Sequence, residues 1–186
     1  MKAFCNHIHS VPEDVLEEYL SHWNVYQAPK HSILTQQGET QRYMYFVEEG
    51  IQKSYYLNDA KEHIIAFTYP PSFSGIPESF FSQTPSKYFL ETITDSRFLR
   101  ISFEQHQSLM AKHRPIETLF RKGTEMLLTD ILNRYYELMA HDIETRFRHF
   151  IDRSPHLLNM VSQKDLASYL RIDPTNFSKL LRKVKL

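Results

Sequence analysis

The residues best suited to chemistry lie near the C-terminal end of the chain. Thr175, Asn176, Ser178, Lys179 and Arg182 follow the dipeptide Asp173-Pro174, and their helical spacing puts them on the side away from Phe177, Leu180, Leu181 and Val184. Amide, hydroxyl and cationic side chains near a helix start can meet base edges in a DNA major groove, Asn pairing with adenine and Lys with guanine or phosphate. Further upstream, Ser74, Gly75, Glu78 and Ser79 surround Pro77. A short helix starting at that proline, beside a glycine and two hydroxyls, would make an anion cradle. An ordinary connection packed by Phe80 and Phe81 is the competing reading. Cys5, His7 and His9 alternate at the N-terminus but have no supporting carboxylate beside them, so no metal is expected there. The other histidines are scattered, and no HExxH, P-loop, GxSxG or Cys-His arrangement occurs. An enzyme is not expected, nor is a cofactor.

A DNA-reading helix needs a partner to hold it. Ser162 precedes Gln163-Lys164-Asp165, close to a capping-box helix start. Leu166, Ala167 and Leu170 then form an inner face, with Ala167 small where two helices cross. Arg171-Ile172 makes a turn, Asp173 caps and Pro174 takes the first helical position. Ser162 to Val184 thus reads as a helix-turn-helix, with Ser162 and Gln163 at the groove edge. One alternative is a helical hairpin with a solvated basic face; another is a small-molecule sensor or scaffold whose degenerate helix-turn-helix serves protein contacts.

The charge distribution agrees. The 186 residues carry 22 basic and 22 acidic side chains. Residues 141–186 hold nine of the former and five of the latter, so a basic end sits on a mildly acidic body. The single cysteine excludes an internal disulfide and suits a cytoplasmic setting. No apolar run approaches the ~18 residues of a membrane span.

Between Asn24 and Phe103 the texture is that of short strands: Ser32–Gln36, Tyr43–Glu48, Gln52–Leu57, His63–Tyr69, Tyr88–Thr92 and Arg97–Ser102. Turn residues separate them, which predicts a sandwich or roll. Met44 to Gly50 gives the clearest hairpin signal, while Pro70 to Phe81 is too proline-rich for a strand. A first helix is expected after a Ser10 cap, carrying Val15, Leu16, Tyr19, Leu20 and Trp23. Another runs from Glu104 to Arg114. From Pro115 to Ala140, apolar residues recur at spacings of three and four, predicting a helix of roughly 39 Å. That length suggests a seam with a second copy, against burial within one chain. Asp142 would cap a further helix, Ile143 to Ile151, ended by Ser154-Pro155.

Taken in order, these parts resemble the CRP/FNR family of transcription regulators. Phe46-Val47-Glu48-Glu49-Gly50 is similar to the hairpin of the family's cyclic-nucleotide-binding roll. Phe73-Ser74-Gly75-Ile76-Pro77-Glu78 lies where the phosphate-binding cassette falls, and Phe98 to Ser102 resembles the closing strand. The resemblance implies an α+β fold. Residues 1–114 would be a jelly-roll (double-stranded β-helix) sensor, 115–140 a dimerisation helix and 141–186 a helix-turn-helix unit. It implies a homodimer on double-stranded DNA and an unidentified small-molecule effector. The usual Arg–Ser pair of cyclic AMP-binding members is replaced by Ser86 and Lys87, and two helix hydroxyls by Ile131 and Leu132. Cyclic AMP binding in the usual way is therefore not expected. Phe73, Phe80, Phe81, Tyr88 and Phe89 favour a filled or apolar pocket. On the reading helix, Pro174, Thr175 and Lys179 replace the Arg-Glu-x-x-x-Arg of many relatives. The two-stranded wing of the family is also missing from the pattern, which implies fewer phosphate contacts.

Overall fold

The computed structural model describes residues 1–183, so the inward placement expected for Val184 lies outside the described residues. Eight strands form two four-stranded antiparallel sheets packed as a sandwich. The first sheet has the order β1 (Asn24–Ala28), β8 (Ser96–Ser102), β3 (Tyr43–Glu49), β6 (Ser72–Ser74). The second has β2 (Ile33–Thr35), β7 (Phe89–Thr92), β4 (Gln52–Asn58), β5 (Lys61–Thr68). Two of these strands were not evident in the sequence. β1 is too exposed to alternate clearly, and β6 is three residues that pair with β3 just after Pro70-Pro71. The proline run excludes a strand only over its own two positions.

The expected hairpin at Gly50 is corrected. β3 and β4 lie in different sheets, so the Gly50 turn is a corner between layers. Glycine is required there: φ is +92°, and a Cβ would lie 2.6 Å from the Asp95 carbonyl oxygen. The actual hairpin is β4–β5, turned at Asp59-Ala60 with both residues at positive φ.

Alternation along the strands divides the core. Tyr45, Val47, Phe98 and Leu90 point between the sheets with Ala28 and Ile76. Met44, Phe46 and Ile101 point outward from the first sheet, under α1 (Lys2–Ile8), α2 (Glu13–Ser21), α4 (Phe103–Lys112) and the start of α5 (Arg114–Ala140). Leu16, Tyr19, Leu109, Ile116, Leu119 and Phe120 supply the helical side. The N-terminal segment is helical, with Cys5 buried and His7 exposed. That geometry separates Cys5 from His7, and no group of three or more His, Cys, Asp or Glu able to hold a metal occurs among the described residues. Burial also pushes the Cys5 thiol up to about 11. Pro12, not Ser10, opens α2, and Ser102 caps α4 by accepting from the Gln105 amide. α3 (Pro77–Ser82) begins at the proline, as expected.

α5 is bound to the roll only over its first turns, where Ile116, Leu119 and Phe120 are buried. Beyond Gly123, Met126, Leu127, Leu128, Ile131, Leu132, Tyr135, Tyr136 and Met139 are all exposed. The opposite side of that half faces the C-terminal unit: the Arg134 guanidinium stacks 3.8 Å over the Tyr169 ring and donates to its carbonyl. That unit is α6 (Ile143–Arg153), α7 (Leu157–Met160), α8 (Gln163–Leu170) and α9 (Pro174–Lys183). The one-turn α7 has no periodic signal in the sequence. No strand occurs in this unit among the described residues. No described helix is long and apolar enough to cross a membrane.

Candidate nucleic-acid interface

The arrangement of α8, the turn at Arg171-Ile172 and α9 is built by three local devices. The Ser162 hydroxyl accepts from the Asp165 amide and starts α8. Arg171 takes a left-handed conformation, φ 56°, and the Ile172 amide donates to the Ala167 carbonyl, which closes α8 as glycine more often does. The Asp173 carboxylate then accepts from the Thr175 amide and starts α9. Leu166, Ala167, Leu170, Ile172, Phe177 and Leu180 are buried between the helices and under Phe147 and Phe150 of α6. The Phe147 and Phe177 rings meet edge to face at 5.4 Å. Asp142 caps α6 through the Thr145 amide, as the sequence predicted.

Packing one side of α9 leaves the other free. Thr175, Asn176, Lys179 and Arg182 are exposed, and Ser178 is half-buried against Gln163 of α8, hydroxyl to amide oxygen at 3.5 Å. Pro174, Thr175, Ser178, Lys179 and Arg182 line one open depression along this face. Ser162 and Gln163 are exposed beside it. The structure therefore brings Thr175, Ser178, Lys179 and Arg182 onto one face with Gln163 against Ser178, while Asn176 is exposed outside that depression and Ser162 caps the start of α8. Lys183 differs, being paired with Glu144 of α6 at 2.6 Å. Lys179 and Arg182 form no ion pair among the described residues, so both charges are available to phosphate.

The residues expected around an effector do not converge. Ser74 is buried and bonded to the Thr68 hydroxyl, and Ser86 is buried and bonded to both backbone groups of Tyr88. Ser79 accepts from the Gln41 amide and donates to the Thr84 carbonyl. Glu78 and Lys87 are exposed, and Ile131 and Leu132 stand on the free side of α5, 55% and 56% exposed. What occupies the cradle is Gln41, a residue with no motif to mark it. Its side-chain oxygen accepts from the Ile76 amide at 2.7 Å, and its amide nitrogen donates to the Tyr43 carbonyl. Gly75 makes room for it, since a Cβ there would lie 2.5 Å from the Gln41 amide nitrogen. The chain's own amide thus takes the N–H that an anionic ligand would need. Nearby, the half-buried Arg100 stacks on Tyr26 and Tyr43 at 4.1 and 4.4 Å. Burial pushes the Tyr45 hydroxyl opposite it up to about 12, with the Arg100 charge pulling the other way.

Residues 26–113, from the third position of β1 to the residue after α4, match the family model for the cyclic nucleotide-binding domain. The roll, with its long following helix, is cyclic nucleotide-binding-like. The full chain resembles several solved structures. The c-di-GMP responsive global regulator CLP from Xanthomonas campestris is 20% identical, with a TM-score of 0.66 over 92% of this chain and 91% of that one. FixK2 from Bradyrhizobium japonicum is 19% identical, with a TM-score of 0.74 over 87% and 83%. The catabolite activator protein of Thermus thermophilus is 16% identical, with a TM-score of 0.59 over 95% and 84%. At these identities the likeness shows the fold. No curated protein matches the sequence.

The cyclic nucleotide-binding-like roll and the C-terminal unit also touch directly. Ile51, Phe67, Tyr69 and Ile93 pack on the core of that unit, and the Tyr69 hydroxyl bonds to the Ser154 hydroxyl at 2.6 Å. Lys53 of β4 is nearly buried between the two, with Glu62 at 2.6 Å and Glu91 and Asp165 each at 3.8 Å. Burial opposes its charge, but the hydrogen bond to Glu62 and the charges of Asp165 and Glu91 outweigh that and hold its pKa above the usual lysine value.

Proposed function

We propose that the protein is a homodimeric, cytoplasmic, DNA-binding transcription regulator of CRP/FNR type, without catalytic activity. The observation that carries this reading is the outer face of α9, which presents Thr175, Asn176, Lys179 and Arg182 free on a capped, well-packed helix pair. Ser162, Gln163 and Ser178 border it and serve as backbone and groove-edge contacts. Asn176 and Lys179 are the base readers, and Arg182 contacts phosphate. The unpartnered half of α5 supports pairing with a second copy. The resemblance to a global regulator and a catabolite activator agrees with the role.

Selection from random duplexes by the purified protein tests the reading. A sequence with two inverted half-sites is expected. Lys179→Glu with Arg182→Glu should weaken retention by about 100-fold and reduce the salt slope by about two units. If no sequence is enriched at low salt, and the double reversal changes nothing, the helix pair serves protein contacts instead.

The occupied cradle bears on the effector. Gln41 fills the cradle at Gly75 and Ile76, the place where an anionic effector group would enter. Titration with cyclic AMP or cyclic GMP is expected to show no saturable binding up to roughly 100 µM. Micromolar binding of either would mean that Gln41 yields to the ligand.

A further inference from the structure

We propose that Lys53, a residue of the roll, is a positioning residue for the DNA-reading helix of its own chain. The inference rests on the DNA-binding reading above. Lys53 lies on β4, yet it reaches Asp165 in the first turn of α8 while also holding Glu62 of β5 and Glu91 of β7. Its side chain is 9% exposed, and those of Glu91 and Asp165 are 11% and 15% exposed. Three acids around one ammonium are stable only while the ammonium remains among them. Removing it leaves like charges facing each other across the joint. Beside this cluster the Ser168 hydroxyl of α8 accepts from the Ile64 amide at 3.0 Å and donates to the Glu62 carbonyl at 3.2 Å. β5 is the last strand of its sheet, so α8 satisfies backbone groups that no strand pairs.

The arrangement fixes α8, and α8 carries α9 through their shared core. The docked side of α8 is not the side that α9 exposes, so docking leaves the reading face free. A dimer that binds two half-sites gains from the second only if both reading helices are held at the matching separation. Fixing that separation is the role assigned to Lys53. The strands that hold Lys53 and Glu91 also place Gln52 and Leu90 inside the sandwich, so the joint is anchored in the roll's core.

The test compares the full-length protein with Lys53→Met, Lys53→Arg and Asp165→Asn. Two readouts are needed. Exchange of the Ile64 amide with deuterium reports docking without DNA, because that amide donates to Ser168 rather than to a neighbouring strand. Affinity for a selected two-half-site duplex is compared with that for one half-site. Lys53→Met and Asp165→Asn are each expected to speed Ile64 exchange at least about 10-fold, through loss of a buried pair. Each should weaken two-half-site binding by about 10-fold or more, while single-half-site binding stays within about twofold. Lys53→Arg restores both. Equal weakening on one and two half-sites, or unchanged Ile64 exchange in a variant whose melting is unaltered, overturns the proposal. If the wild-type protein retains no DNA at all, the functional reading fails instead, and Ile64 exchange still decides whether Lys53 holds the joint.

Discussion

Leu128→Glu together with Leu132→Glu is expected to abolish the proposed pairing of two chains through α5, and with it the proposed two-half-site DNA binding. Leu128, Leu132, Tyr135 and Met139 follow one another at spacings of four, three and four and are 55%, 56%, 62% and 72% exposed. That is the heptad spacing of a two-helix seam. The other side of the same half-helix is already taken by Arg134 on Tyr169 and by Glu137 with Arg153, so the seam faces outward. Each leucine buried in such a seam contributes about 2 kcal/mol, and a glutamate in its place must also lose its water. With four substituted positions per dimer, the dissociation constant should rise at least about 1000-fold. Sedimentation velocity reads the change directly. The roll should be untouched, because Ile116, Leu119 and Phe120 anchor α5 independently. Wild-type protein that sediments as a single chain at roughly 50 µM would refute the seam.

The second large effect is acid destabilisation through His106. This ring is fully buried among Tyr19, Phe80, Phe81 and Phe120, with Nδ1 3.0 Å from the Tyr19 hydroxyl and Nε2 without a partner. Burial lowers its pKa from 6.5 to about 4. The unfolded chain therefore binds a proton below pH 6.5 that the folded protein refuses until about pH 4. Above pH 6.5 the two states bind equally and nothing is lost. Between those values stability falls steadily, by about 3 kcal/mol in total, and this contribution levels off below pH 4. Glu13, Glu18 and Glu144 have pKa values lowered by their basic partners. Their contributions are lost only as the pH falls below the ordinary carboxylate range, so pH 6.5 to 5 isolates His106. Urea unfolding across that window should show the loss, and His106→Gln should flatten it while keeping a partner for Tyr19. A proton NMR titration of the His106 ring with a midpoint near 6.5 would sink the argument.

Much of this was legible in the sequence because local chemistry wrote it there. Asp142, Ser162 and Asp173 announce helix starts by their own hydrogen bonds, and Leu166, Leu170, Phe177 and Leu180 announce a helix pair by spacing. The exposed face of α9 follows from the same periodicity. Pairing between strands was less legible. Gly50 shows that a turn exists but not that it changes sheets, because the choice between hairpin and corner depends on β6 and β8 taking the flanks of β3. The residues that decide the roll's interior and the joint were silent for a related reason. Gln41, Lys53 and Arg100 are ordinary polar residues in the sequence. They acquire roles only from what the fold places around them: the bare Ile76 amide, three carboxylates and a pair of tyrosine rings.

The contact between α8 and β5 also bears on how this protein must be made and stored. β5 is eight residues long, and Ile51, Phe67, Tyr69 and Ile93 lie under the helical unit. A roll stripped of its C-terminal unit would show an open strand edge beside an oily patch, which is the template for chain-to-chain sheet growth. The C-terminal helical unit therefore doubles as the guard of the roll's solubility. A chain cut after Ala140 should collect in inclusion bodies or fibres unless that edge is blocked by charge or proline.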